Sequence, residues 1–198
     1  MSAAEKFKLT PAAYLERERA AEFRSEYVDG EVFAMAGATL NHNLIAMNFG
    51  SELRNAFKDR PCVVLGSDMK VRVDSANACF YPDLSGRGGP LEFFDDRTDI
   101  YRNPEFVIEV LSDSTEIWDR SGKFHRYQTL PSLREYVLVS QNAVAVDVFR
   151  RHEAGWLYHS LQTLEDILRL DSVECDVPLA EIYRKVAFES GDGIARRG

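Results

Sequence analysis

The run Phe106-Val-Ile-Glu-Val-Leu111 decides what the rest of the chain must be built around. A short stretch of aromatic, β-branched and aliphatic residues, bounded by polar and turn-forming ones, predicts a buried strand. Glu109 stands in its middle. A charged side chain is almost never fully buried unless something pairs with it. The chain must therefore bring a cation to that carboxylate, or a proton.

The neighbouring sequence supplies the other layers. LTPAAYLERERAAEFRSEY reads as a helix, with Thr10 suited to the cap and Pro11 to the first helical position. YVDGEVFAMAG holds two short apolar runs about Asp29-Gly30, a hairpin signal. Leu44, Ile45, Met47, Leu53 and Phe57 recur at helical spacing and predict a second, amphipathic helix from Asn41 to Phe57. CVVLG, MKVRV and ACFYPDL are strand candidates, whereas SGRGGPLEFFDDRTDIYRNP is rich in Gly, Pro and Asp and predicts a long loop. After the Glu109 strand, Asp113-Ser-Thr-Glu116 resembles a capping box opening a helix that runs to Leu130. REYVLVS, AVAVDVFRR and WLYHSLQ predict three more strands, and PLAEIYRKV a closing helix. This order predicts an α/β or α+β domain with a mixed central sheet flanked by helices. One domain over residues 1–198 is expected, with its core over 10–186 and a flexible tail over 187–198.

Composition narrows the function classes. A net charge of -8 argues against a nonspecific nucleic-acid coat, which needs a basic surface. It leaves room for a local cationic groove or for a site holding a divalent cation. The opening MSAAEKFKLT lacks the apolar stretch of a secretory leader, and no apolar run approaches a membrane span. The three cysteines, Cys62, Cys79 and Cys175, form no CxxC pair and read as reduced thiols of a cytoplasmic protein.

Glu109 has candidate companions. Asp83, in FYPDL, ends an apolar strand by this reading, and a loop separates it from Glu109. If the two strand ends lie side by side, the carboxylates repel until one is protonated or a cation sits between them. Oxygen donors of this kind select Mg²⁺ or Mn²⁺. Lys123 lies on the next helix, beside Phe124, where its ammonium could reach the strand ends and stabilise charge on a phosphate. Glu26, near the handover from first helix to first strand, is a fourth candidate.

These residues, with SEYVDGEVFAMAG, NHN, SDMKVRV, YPD, FVIEVLS, SLREYVLV and PLAEIY in that order, resemble the Uma2 group of restriction-endonuclease-like proteins within the PD-(D/E)XK nuclease superfamily. The resemblance spans residues 10 to 185. It implies a restriction-endonuclease-like core and a Mg²⁺- or Mn²⁺-dependent endonuclease acting on DNA, leaving a 5′-phosphate. By analogy Asp83 and Glu109 hold the metal, Glu26 is an additional acid, and the Val110 carbonyl is a further ligand. The superfamily's lysine lies two residues past the second acid, a position held here by Leu111; in the Uma2 group it has moved to the next helix, which matches Lys123. Relatives continue an apolar strand after the Pro-Asp pair, but this chain reads LSGRGGP, which predicts a shortened strand and an Asp83 beside a flexible glycine loop.

Plainer readings exist for each residue. Glu109 could pair with an arginine, Asp83 could be a turn residue, and Lys123 could form a surface i,i+4 pair with Asp119. Glu26 could complement charges at a helix end. Lys70, in the D-x-K of Asp68-Met69-Lys70, reads as a surface or groove residue, Tyr127 as a core tyrosine, and His42 as a residue lining the cleft near a helix start or, more plainly, as a capping or packing residue. As a set, the metal site is favoured. The alternative function is an inactive module of the same fold that binds nucleic acid or a protein partner. A third reading is a homodimer joined through AVAVDVFRR or WLYHSLQ as a sheet edge.

Overall fold

In the computed structural model, which describes residues 8–35 and 37–188, the Glu109 run is a strand with all six residues buried. Of the expected tail over 187–198, residues 189–198 lie outside the described residues, while Phe188 packs edge-on to Tyr183. The first half contains α1 (Pro11–Ala20), β1 (Ser25–Val28), β2 (Glu31–Ala34), α2 (Leu40–Ala56), β3 (Cys62–Gly66), β4 (Lys70–Val73), β5 (Ala78–Phe80) and β6 (Leu84–Gly88). The second half contains β7 (Ile100–Tyr101), β8 (Phe106–Leu111), a helical segment over 116–127, β9 (Glu135–Ser140), β10 (Val146–His152), β11 (Gly155–Leu161), β12 (Ile167–Leu170) and β13 (Cys175–Pro178). A helical turn, Leu179–Ile182, follows.

The strands form two larger mixed sheets and a hairpin rather than one central sheet. A six-stranded sheet has the order β11-β10-β9-β8-β6-β3, with β8 and β9 parallel. A five-stranded sheet has the order β2-β1-β5-β4-β7, with β4 and β7 parallel. β12 and β13 pair by themselves.

Alternation along β8 sorts its neighbours, because successive side chains point to opposite faces. Phe106, Ile108 and Val110 join Ile45, Phe49 and Leu53 of α2, and the β12–β13 hairpin closes that layer through Leu168, Leu170 and Val177. Val107 and Leu111 face the other way, onto Phe124 and Tyr127 of the 116–127 helix and onto Val71, Val73, Phe80 and Tyr101 of the smaller sheet. Glu109 shares the face of Val107 and Leu111 by its position in the strand.

Several expectations are corrected. Thr10 does accept a hydrogen bond from the Ala13 N–H, with Pro11 opening α1. That helix stops at Ala20, because Ser25–Val28 is drawn into the hairpin with β2. The Asp113-Ser-Thr-Glu116 capping box does not form; Thr115 caps nothing, and the N–H groups of Thr115 and Glu116 donate to the Ser112 carbonyl instead. The β12–β13 hairpin is an element the sequence pattern does not predict.

The largest correction concerns LSGRGGP. Leu84–Gly88 is a strand inside the six-stranded sheet, paired with both β3 and β8. Its glycine is a packing requirement: a Cβ on Gly86 would lie 2.0 Å from the Val63 carbonyl oxygen and 2.6 Å from Cζ of Phe106. Strand β5 ends at Phe80, so Asp83 does not end it. Asp83 instead sits in the crossing Tyr81–Asp83, where the chain leaves one sheet and enters the other.

Candidate active site: a buried lysine among carboxylates

The partner awaiting Glu109 is a lysine and not an arginine. Lys123 Nζ lies 2.9 Å from Glu109 Oε1 and 3.0 Å from Glu26 Oε1, with Asp119 Oδ1 at 3.7 Å. Lys123, Glu109 and Asp119 are only 5, 3 and 4 % exposed, so solvent does little to screen them. The Lys123 ammonium also lies over the Phe80 ring, 5.5 Å from its centroid.

The helix that delivers Lys123 is irregular where it matters. Between Glu116–Trp118 and Phe124–Tyr127, residues Asp119–Lys123 form a π-turn. Such a turn carries one extra residue per hydrogen-bonded loop and shifts the helical phase, and it recurs at functional sites. Gly122 permits it: the Trp118 ring lies where a side chain would be, 2.1 Å from an ideal Cβ position. Phe124, stacked on Tyr136 at 4.8 Å, fixes the far side.

Asp83 arrives from the crossing between sheets. Leu84 is paired with Ile108, and continuing that antiparallel register by one residue sets Asp83 opposite Glu109. Having left the ladder, Asp83 returns with its side chain, and its Oδ2 accepts the Val110 N–H at 2.7 Å. Glu26 comes from β1 in the other sheet. Its Oε1 accepts the Tyr81 N–H at 3.1 Å, which ties it to the same crossing.

Burial raises Glu109 well above the ordinary carboxylate range, with Lys123 pulling the other way and Asp119, Asp83 and Glu26 adding to the rise. Burial likewise raises Asp119. Burial opposes the Lys123 ammonium, but Glu109, Glu26 and Asp119 outweigh it and push its pKa well up. One ammonium therefore serves three acids.

Two members were assigned elsewhere in the sequence. Asp119 does pair with Lys123 at i,i+4, but inside the protein and not on its surface; only the π-turn reveals this. His42 caps nothing with its side chain. Its backbone N–H donates to Thr39 Oγ1, while its Nε2 lies 3.3 Å from Asp83 Oδ2. Lys70 is buried too, against Asp99 at 3.2 Å and over the Tyr81 ring at 5.2 Å, so it is neither a surface nor a groove residue. Tyr127 is a core tyrosine, and its buried hydroxyl has no hydrogen-bond partner.

The donor chemistry fits a hard divalent cation. Three carboxylates surround the Lys123 ammonium, with Asp83 anchored beside them on the Val110 N–H, and Glu109 Oε1, although ion-paired, accepts no hydrogen bond. Among the described residues no three His, Cys, Asp or Glu side chains converge as a ready-made cage, since Lys123 occupies the space between Glu26 and Glu109. Mg²⁺ needs only one or two carboxylates, with water and substrate oxygens completing its shell.

An acidic cluster drawn from two sheets thus gathers around one lysine on this mixed α+β fold. The chain belongs to the Uma2 family, described as "Putative restriction endonuclease", whose sequence profile it matches over residues 11–180. It is 34% identical over 182 residues to the uncharacterized protein slr1290 of Synechocystis, covering 91% of this chain and 94% of that one. It is also 34% identical over 154 residues to sll1609 of the same organism, covering 77% and 87%. Its fold matches the crystal structure of "a putative nuclease belonging to DUF820" from Anabaena variabilis, with a TM-score of 0.73 at 16% identity, over 88% of this chain and 97% of that one. No helix among the described residues is long and apolar enough to cross a membrane.

Proposed function

We propose that the chain is a Mg²⁺- or Mn²⁺-dependent endonuclease that hydrolyses DNA phosphodiester bonds. One observation carries the proposal: an ammonium held 2.9 and 3.0 Å from two carboxylates of different sheets, beside an aspartate anchored on the same strand. Asp83 and Glu109 would hold the cation, with Glu26 beside them. When bound, the ion supplies Lewis acidity toward the scissile phosphate. Lys123 orients the attacking water and stabilises charge on the phosphate oxygens. Glu26 and Asp119 keep that lysine charged and fixed, and in-line attack leaves a 5′-phosphate. The continuous β6 strand supports an active site over an inactive module, since Asp83 is anchored rather than left on a loose loop.

The test is plasmid nicking by purified protein with Mg²⁺ or Mn²⁺. Wild type is expected to nick, while Asp83→Ala and Glu109→Ala fall at least about a hundredfold, the usual scale for removing one preorganised charge-stabilising group. Equal background nicking by all three sinks the proposal. The setting we infer is the reducing cytoplasm, in line with three free cysteines. We further infer a homodimer joined along β11, a seven-residue edge strand with Leu157 and Tyr158 exposed.

A further inference from the structure

His42 stands where none of the readings above requires it. It lies in the first turn of α2, whose apolar face packs on Phe106, Ile108 and Val110, so the same packing that buries β8 aims this imidazole at the strand end. Its Nε2 is 3.3 Å from Asp83 Oδ2, and the Val110 carbonyl also lies within its hydrogen-bonding reach. Asp83 Oδ2 meanwhile accepts the Val110 N–H. An imidazole nitrogen, a carboxylate oxygen and a main-chain carbonyl therefore face one small region.

The spacing has a chemical meaning. Two neighbouring donors on one octahedral ion, each about 2.1 Å from it, are about 3 Å apart. The separation of Nε2 from Oδ2 is close to that edge, although in the free protein it also suits a long hydrogen bond. Resting on the metal-dependent reading above, the geometry points to His42 as a direct ligand of the same cation as Asp83 and Glu109, with the Val110 carbonyl as a further protein donor.

The consequence is metal selectivity. Mg²⁺ prefers an all-oxygen shell, whereas an imidazole nitrogen raises affinity for transition ions. The site should take Mn²⁺ in preference to Mg²⁺, with His42 as the residue that sets the preference.

Electron spin-echo envelope spectroscopy of Mn²⁺ bound to the purified protein reads this without activity. A directly coordinated ¹⁴N signal is expected, converting to the ¹⁵N pattern when the histidines carry ¹⁵N. In His42→Gln the signal should vanish, and Mn²⁺ affinity, followed by the free-ion resonance, should fall at least about tenfold, the lower end for losing even an outer-shell partner. Mg²⁺ affinity, measured by competition, should fall less. Bound Mn²⁺ without coordinated nitrogen in wild type overturns the inference and leaves the nuclease proposal standing, as does a nitrogen signal that survives in folded His42→Gln. A wild type that binds no Mn²⁺ overturns both. The labelling arm uses the unaltered chain, so a misfolded variant does not blunt the test.

Discussion

At the scale of single residues, the cluster is defined by how few cations it has. Lys123 is the ammonium shared by Glu109, Glu26 and Asp119. Removing one partner of a buried pair strands the other and costs about 3–5 kcal/mol. Lys123→Met should lose stability on that scale, with a definite pH dependence. Burial holds the folded-state pKa of Glu109 above its unfolded value, so the native state binds more protons than the unfolded one once pH exceeds the ordinary carboxylate range. Stability then falls as pH rises towards the folded pKa. Without the opposing ammonium the effect deepens, and thermal melts should show a larger deficit for Lys123→Met at pH 8 than at pH 5. The double variant Lys123→Met/Glu109→Gln should recover much of it. A deficit of the same size at both pH values would count against an ionised Glu109 as its source. Sequence alone poses the Glu109 problem and names Lys123, Asp83 and Glu26 as companions. It leaves His42 between a cleft-lining and a capping role and misplaces Asp119, because neither an imidazole in a helix's first turn nor an i,i+4 pair carries any mark of which way it faces.

At the scale of elements, β6 is the instructive case. Gly, Pro and Asp punctuate sequences, so SGRGGP predicts a loop. Here a glycine is needed because the backbone of Val63 and the ring of Phe106 come too close for any side chain. Gly86→Ala should therefore destabilise by about 1–3 kcal/mol through overpacking, whereas Gly66→Ala, which meets no atom within 4 Å, serves as a near-neutral control in the same urea titration. Equal midpoints for the two would show that β6 relaxes freely, and with it the anchor of Asp83. The π-turn over Asp119–Lys123 is equally invisible beforehand. Helical periodicity is read at a constant phase, and an inserted residue breaks it just where Lys123 must turn inward.

At the scale of the molecule, two mixed sheets meet at the Tyr81–Asp83 crossing, and the acids come from both: Glu26 from one sheet, Glu109 from the other. The outer edges of the six-stranded sheet are β11 and β3. If copies pair along β11, sedimentation should give twice the monomer mass of 22.5 kDa, and Leu157→Lys, a charge on an exposed edge, should return it to monomer with little change in melting temperature. A monomeric wild type removes the dimer. The sequence by itself determined the elements with strong periodicity: α2, the Asp29-Gly30 hairpin, and the strands β8 to β11. These are local matters of side-chain spacing and turn chemistry, which a stretch of chain carries within itself. It also determined that a carboxylate would be buried, since Glu109 cannot leave an apolar strand. Only the tertiary structure decided what that carboxylate meets. The approach of Gly86 to Phe106, the meeting of Lys123 with Glu26 and Glu109, and the 3.3 Å between His42 and Asp83 are all relations between segments apart along the chain, fixed by packing and by no residue alone.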